Sequence, residues 1–353
     1  MDPHNPEEHD GILSRLELRC PPLPQTLTDA LALIHRPERL EVGPVTDMVE
    51  RDPAVVARLL QTVNSAYYGL EHPVSGTQRA VVLLGPVAVT GLVVGMNMLK
   101  LRSIMEGPAA NCFLRLVRHN IAVAYLARHL YEDLPARPAV PANDAFAGDA
   151  FTSGLLHDFG KVILVYNFPE EAVALYEDGS IEQEVHEPDH QQMEQLLFGY
   201  DHTEAGEFAA RKLNFPAAIV TTIALHHDGD AMGNDGPQGR MLRAVTSANL
   251  AVKAMGHAFS KPIDWDACMA HPVWALMLER DLPEVEDARH LRDAIRIEQD
   301  SLDAYVEHLT QADGALPPPL DHPDRPRRLD PPPDPSPDEG LTNGTPPPSN
   351  GVE

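Results

Sequence analysis

Residues 80–99, "AVVLLGPVAVTGLVVGMNML", run for twenty positions without a charged side chain. Such a run has to escape water. It can do so in a bilayer, whose hydrocarbon core takes about 20 apolar residues, or inside a folded core. The Gly85-Pro86 pair decides between the two. Gly suits the end of one helix and Pro the first turn of the next. The stretch therefore predicts two short buried helices meeting at an angle rather than a membrane span.

The neighbouring segments carry helical signals too. "LTDALALI" repeats its apolar residues at helical spacing. "RDPAVVARLLQTVNSAYYGL" opens with Asp52 as N-cap and Pro53 in the first turn, and Gly69 is expected to close it. Its inward face is expected to run through Val56, Leu59, Leu60 and Val63, with Asn64 and Ser65 capping or bridging helices. Helical patterns resume from Asn111 to about Leu309. They are interrupted by "PARPAVPANDAFAGDA" and by "HHDGDAMGNDGPQG". No stretch alternates as a strand would, so the chain reads all-α.

Composition divides the chain further. Residues 1–15 are polar and expected to be flexible. Beyond Ala312 the sequence holds thirteen of the 34 prolines and almost no large apolar residues. That segment, 313–353, cannot bury enough surface to offset its ordering entropy, so it is expected to be a disordered, solvated tail.

The formal charge is −26, of which the tail supplies only −5. A body this acidic repels phosphate backbones and anionic lipid, which argues against nucleic acid and membrane surfaces as partners. The single tight cluster of basic residues, Arg325, Arg327 and Arg328, lies in the tail. Cys20, Cys112 and Cys268 are few and far apart, as expected of a reducing cytoplasm. The N-terminus, "MDPHNPEEHDG", has no apolar core and is not a signal peptide.

Against this background "GLLHDFGK", residues 154–161, stands out, because His157 and Asp158 sit inside an apolar run. Read as one helix, the segment places Asp158 on a stripe with Phe151, Leu155, Val162 and Val165, and His157 at its flank. The same spacing turns His119 inward with Leu116, Val123 and Leu126. It turns His202 inward with Ala205 and Ala209, and His226 with Ile219 and Ile223, His227 being adjacent. Asn249 follows Leu242 and Val245. Each inward histidine alone is most often a core residue satisfied by a carbonyl. Several on successive helices point to a shared cavity. Imidazole and carboxylate together suit a divalent transition metal: Mn, Fe, Ni or Zn. His4, His9, His186 and His190 lie in polar contexts and read as surface residues.

"GLLHDFGK", with His119 upstream and the His226-His227 pair downstream, resembles the HD superfamily of metal-dependent phosphohydrolases. "PPLPQTLTDALALI", "VERDPAVVARLLQTVNSAYYGL", "VSGTQRAVVLLGPVAVTGLV" and "YDHTEAGEFAARKLNFPAAIVTTIALHHD" narrow the resemblance to the HDOD domain, over about Cys20 to Asp228. The resemblance implies a multi-helix HD-like bundle, a bacterial source and a role in signalling, usually without catalysis. On that basis the HDOD domain is set at 16–232, with a C-terminal helical extension packed on it over 233–312. By motif position the metal ligands would be His119, His157, Asp158 and residue 249, with His202, His226 and His227 matching the extra histidines of the two-metal HD-GYP relatives.

The chain departs from that pattern twice. Position 249 is Asn where the hydrolases carry Asp, and the segment after His227 contains no GYP. Three readings follow. The first is a non-catalytic signalling module acting on partner proteins, with or without a regulatory metal. The second is a metal-dependent phosphohydrolase acting on a nucleotide or cyclic dinucleotide, with Asp158 and Lys161 as candidate catalytic residues. The third is a purely structural core whose histidines bind nothing. Lys161 has two readings as well, a phosphate contact or a helix-terminus residue.

Overall fold

The structure, a computed structural model, describes residues 17–34, 40–64, 73–133, 149–176, 190–259, 262–285 and 287–310. The Pro-rich tail, the N-terminal residues, Gly69, Ser65, His4, His9 and His186 lie outside them. Every regular element among the described residues is a helix.

The chain begins with α1 (Gln25–Ile34), α2 (Val42–Glu50), α3 (Pro53–Val63), α4 (Thr77–Leu84) and α5 (Pro86–Lys100). Asp52 caps α3, accepting from the amides of Ala54 at 3.0 Å and Val55 at 3.4 Å, and pairs with Lys100 at 2.5 Å. The hydrogen bond from Lys100 holds its carboxyl below the usual range. The inward stripe of α3 is Val55, Leu59, Thr62 and Val63, while Val56 and Leu60 are half-buried. The stripe is thus rotated slightly from the sequence expectation.

α3 also ends earlier than expected, at Val63. Asn64 stops it by pairing in both directions with the backbone of Val74, Nδ2 donating to the carbonyl at 2.7 Å and Oδ1 accepting from the amide at 2.6 Å.

The uncharged run does break at Gly85, whose φ of +84° a side chain would resist. The stretch Pro86–Ile104 is long and apolar enough to cross a membrane, yet 56% of its apolar window is buried within the fold. α5 packs on α1, where Thr26 Oγ1 donates to the buried Asn97 Oδ1 at 2.8 Å.

The central layer follows: α6 (Gly107–Arg128), α7 (Asp149–Leu156), α8 (Phe159–Asn167), α9 (Pro169–Tyr176), α10 (His190–Phe198), α11 (His202–Lys212) and α12 (Ala217–Leu225). α6 is packed most closely by α7, and α8 by α11. Both crossings are made by glycine. A Cβ on Gly154 would lie 2.8 Å from Ala124 Cα, and one on Gly160 only 1.6 Å from the His202 carbonyl oxygen. α11 opens with a capping box. Asp201 accepts from the amides of Thr203 and Glu204 while the Glu204 side chain returns to the Asp201 amide.

The C-terminal helices are α13 (Gly229–Met232), α14 (Pro237–Ala254), α15 (Trp265–Met269), α16 (Val273–Arg280), α17 (Ala288–Ile297) and α18 (Gln299–Thr310). α14 packs on α6, α7 and α12 and so joins the central layer. Arg243 on α14 makes a buried two-pronged pair with Asp281, at 2.5 and 3.0 Å, and donates to the carbonyls of Met232 and Asn234. α18 lies along α6.

Candidate metal centre

The "HD" pair does not lie within one helix. α7 stops at Leu156, His157 and Asp158 form a turn, and α8 starts at Phe159. The apolar stripe continues on both sides, which is why periodicity alone reads through the break. Residues 150–165 are buried all round, so His157 is wholly buried rather than at a flank.

Asp158 is the hub. Its Oδ2 lies 3.4 Å from His157 Nε2, 3.9 Å from His119 Nε2 and 2.8 Å from Lys161 Nζ. Its Oδ1 lies 3.5 Å from His202 Nε2 and 3.6 Å from His226 Nε2. All of these side chains are 5% exposed or less. Four imidazoles from four separate places in the chain therefore converge on one carboxylate.

Their orientation is set from behind. His157 Nδ1 donates to the Gly154 carbonyl at 2.7 Å, His226 Nδ1 to that of Ile223 at 3.0 Å, and His119 Nδ1 to that of His257 at 2.9 Å. His202 Nδ1 faces Glu194 Oε2 at 2.6 Å, and Glu194 is held in turn by the Tyr176 hydroxyl, also at 2.6 Å. A neutral imidazole that donates from Nδ1 leaves a lone pair on Nε2, and this is the tautomer a metal ligand needs.

Burial keeps the rings of His119, His157 and His226 neutral. It pushes His119 down from 6.5 to about 4 and lowers His157 and His226 as well. Burial alone would raise the Asp158 carboxyl. The Lys161 ammonium beside it holds it well below its usual range. With those three imidazoles neutral, the Lys161 ammonium, 2.8 Å away, is the counter-charge that faces Asp158.

Several buried atoms of the pocket have no hydrogen-bond partner, His119 Nε2, His157 Nε2 and Asp158 Oδ1, and neither has Asn249 Oδ1 on α14. Such atoms are costly unless something fills the space between them. His119, His157 and Asp158 each offer one ligand atom, all within 4.8 Å of one another. His202, His226 and His227 form a second such group. Donors about 2.0–2.2 Å from a shared ion sit roughly 3–4 Å apart, so the residues present fit a divalent cation. His227, adjacent to the inward His226, does not share its burial. It follows His226, the C-cap of α12, where the chain turns away, and its side chain is exposed. Its ring still lies 4.2 Å from that of His226. His190, read as a surface residue, is half-buried beside Tyr176.

Three contributors escaped the sequence reading. Glu194 looks like one polar residue among several in "HQQMEQLLF", and only its lack of exposure distinguishes it. Tyr176 and the carbonyl of His257 carry no motif.

The depressed imidazoles make acid a specific denaturant. A group whose folded pKa is lowered contributes stability above its unfolded pKa, and that contribution shrinks as pH falls. Metal-free protein is expected to lose stability from about pH 6.5 down to about pH 4, the window set by His119, at up to about 1.4 kcal/mol per pH unit per group. Urea titrations at pH 7.5, 6, 5 and 4 check this. His119→Gln should flatten the slope, and an identical slope in that variant would contradict the assignment.

Comparison with known proteins gives the family and the fold. The family model of the HDOD domain matches residues 20–229. An uncharacterized protein of Treponema pallidum (strain Nichols) is 24% identical over 208 residues, which are 59% of this chain; the chain spans only 37% of that relative's length. Among solved structures, an HDOD domain protein of unknown function from Geobacter sulfurreducens superposes with a TM-score of 0.66 at 22% identity, covering 85% of this chain and 96% of that one. A proposed signal transduction protein from Marinobacter aquaeolei VT8 gives 0.60 at 20% identity, covering 86% and 66%. A proposed metal-dependent phosphohydrolase from Shewanella amazonensis SB2B gives 0.56 at 18% identity, covering 85% and 98%. At these identities the likeness is one of fold.

Proposed function

The chain belongs to the HDOD family, and from that premise we propose that it is a cytoplasmic regulatory module whose HD-type pocket takes up a divalent cation without efficient hydrolysis, its output being contact with partner signalling proteins. The observation that carries this reading is the contact between Lys161 and Asp158, 2.8 Å apart and buried. The only ionised carboxylate among the first-named ligands already holds a cation. An entering metal has to share Asp158 with the ammonium or displace it.

The donor set points the same way. His119, His157, Asp158 and Asn249 bring one negative charge, because Asn249 offers only a neutral carbonyl oxygen. When bound, a divalent ion would polarise a phosphoryl oxygen and lower the pKa of water. This chain's own residues do the rest. The imidazoles present Nε2 because carbonyls and Glu194 hold Nδ1. Lys161 neutralises Asp158, and the apolar walls of α6, α7 and α8 exclude bulk water. Affinity should be modest and release easy, which suits a sensed occupancy better than a permanent catalytic ion.

A hydrolase acting on a nucleotide or cyclic dinucleotide is the second reading. The group formed by His202, His226 and His227 favours it, since it supplies donors for a second ion. One experiment separates the two. Mn²⁺ and Fe²⁺ are titrated calorimetrically into the wild-type chain and Asn249→Asp, and both are assayed on a nucleotide panel. We expect weak binding and little hydrolysis in the wild type. Binding should be at least about tenfold tighter in Asn249→Asp, since divalent ions favour anionic oxygen. Equal affinity in the two forms would remove Asn249 from the site. Wild-type turnover at an enzyme-like rate would favour the second reading.

A further inference from the structure

The carbonyl that orients His119 does not come from its own helix. It belongs to His257, which follows the end of α14. The chain turns there at Gly256, with φ +89°. This short segment is tied to α18 at two points. His257 Nε2 donates to Asp303 Oδ1 at 2.6 Å, and Gln299 Nε2 donates both to the Met255 carbonyl at 3.2 Å and to Asp303 Oδ1 at 2.9 Å.

Two residues further on, Phe259 stands against the pocket's other members. Its ring lies 4.9 Å from that of Tyr176, which holds Glu194, and 5.9 Å from Lys161 Nζ. Residues 255–259 thus form the wall that meets the His119, Lys161 and Glu194 sides of the pocket, and α18 braces that wall from outside.

α18 is itself held by distant parts of the chain. Glu298, which immediately precedes it, accepts from the Tyr125 hydroxyl on α6 at 2.8 Å. Within α18, Thr310 accepts from Arg118, also on α6, at 2.7 Å. The His308 carbonyl accepts from Arg58 on α3, and His308 Nε2 lies 3.2 Å from Thr62 Oγ1. One helix therefore contacts the N-terminal helices at one end and the wall of the pocket at the other. It also lies outside residues 20–229, the HDOD match.

We infer that α18 is a control element for the HD pocket, with Asp303 as a positioning residue that fixes the His119 imidazole through His257. The inference deepens the metal-site reading and rests on it only for the affinity measurement described below. Linkage makes the relation reciprocal. If docking of α18 orders His119 for a cation, a bound cation must strengthen the docking of α18. A partner that grips or releases α18 would then raise or lower occupancy of the pocket without touching it.

The test uses the full chain and Asp303→Ala, with Asp303→Asn as the conservative variant that keeps an acceptor oxygen. Asp300→Ala, exposed on the same helix, is the control. The first readout needs no metal. Nitrogen-15 imidazole spectra, assigned with His119→Gln, report whether the His119 Nδ1 proton is held against exchange. It should be visible in the wild type, Asp300→Ala and Asp303→Asn, and broadened in Asp303→Ala.

The second readout is Mn²⁺ affinity. Removing a direct hydrogen-bond partner of a ligand costs about 10–100-fold. One step further out, Asp303→Ala should cost roughly three- to tenfold, with recovery in Asp303→Asn. Hydrogen exchange of α18 amides should slow when Mn²⁺ is added. If Asp303→Ala keeps both the His119 proton and the wild-type affinity, the relay is wrong. If the wild type binds no Mn²⁺, the metal reading fails, and the His119 proton alone decides the relay.

Discussion

Asp158→Asn should destabilise the metal-free protein by about 3–5 kcal/mol, the cost of leaving a buried charge without its partner. The stranded charge is Lys161, whose ammonium sits 2.8 Å from Asp158 with a side chain 5% exposed. The imidazoles around it cannot take over, because a neutral ring brings no negative charge and a protonated one adds a second positive charge. The loss should not add to that of Lys161→Met. Asp158→Asn with Lys161→Met removes both charges and should recover much of the stability, since an apolar replacement of a buried pair is often neutral. Urea unfolding in the presence of a chelator measures all three variants. A loss under about 1 kcal/mol in Asp158→Asn would mean that Lys161 reaches solvent or another acceptor. Metal uptake should be abolished in the single and the double variant alike, which separates the ligand role of Asp158 from its electrostatic one.

Gly160→Ala should be at least as damaging. The added methyl would lie 1.6 Å from the His202 carbonyl oxygen, 2.6 Å from its carbon and 2.8 Å from the Gly206 amide. All three are backbone atoms of or adjoining α11, so no side chain can rotate away. Helices α8 and α11 would have to part, carrying His202 away from Asp158. We expect a loss above the roughly 1–3 kcal/mol typical of overpacking, with poor yield of folded protein and no metal binding. Gly43→Ala is the control, because a Cβ there meets nothing within 4 Å. In a helix it should be neutral or stabilising by up to about 1 kcal/mol. If Gly160→Ala melts within a few degrees of the wild type, the close crossing of α8 and α11 is not as the structure has it.

Much of this molecule can be read from local chemistry. The Asp52-Pro53 start of α3, the Gly85-Pro86 break and the Asp201–Glu204 capping box each lie within a few consecutive residues, and each formed where its residue types require. Periodicity also identified His119, Asp158, His202, His226 and Asn249 as inward-facing, with His157 only at the flank, because a helix that buries one stripe commits every residue on it. That signal works only where a helix has a wet side. Residues 150–165 have none, so spacing could not reveal that the helix breaks at His157-Asp158. Nor could it show that α3 ends at Asn64, since that ending depends on Val74, ten residues on.

What lay beyond the sequence was every pairing between elements. His119 finds its carbonyl 138 residues away, and Glu194 comes to His202 from a helix that reads as polar. Lys161 lies three residues from Asp158, yet its choice of that carboxylate over solvent follows from the walls closed around it by α11 and Phe259. Sequence determined which residues had to leave water, because burial is a property of each residue's own chemistry. Tertiary structure alone decided which of them meet, because the direction of a hydrogen bond or an ion pair is fixed only once the helices that carry its two ends have packed.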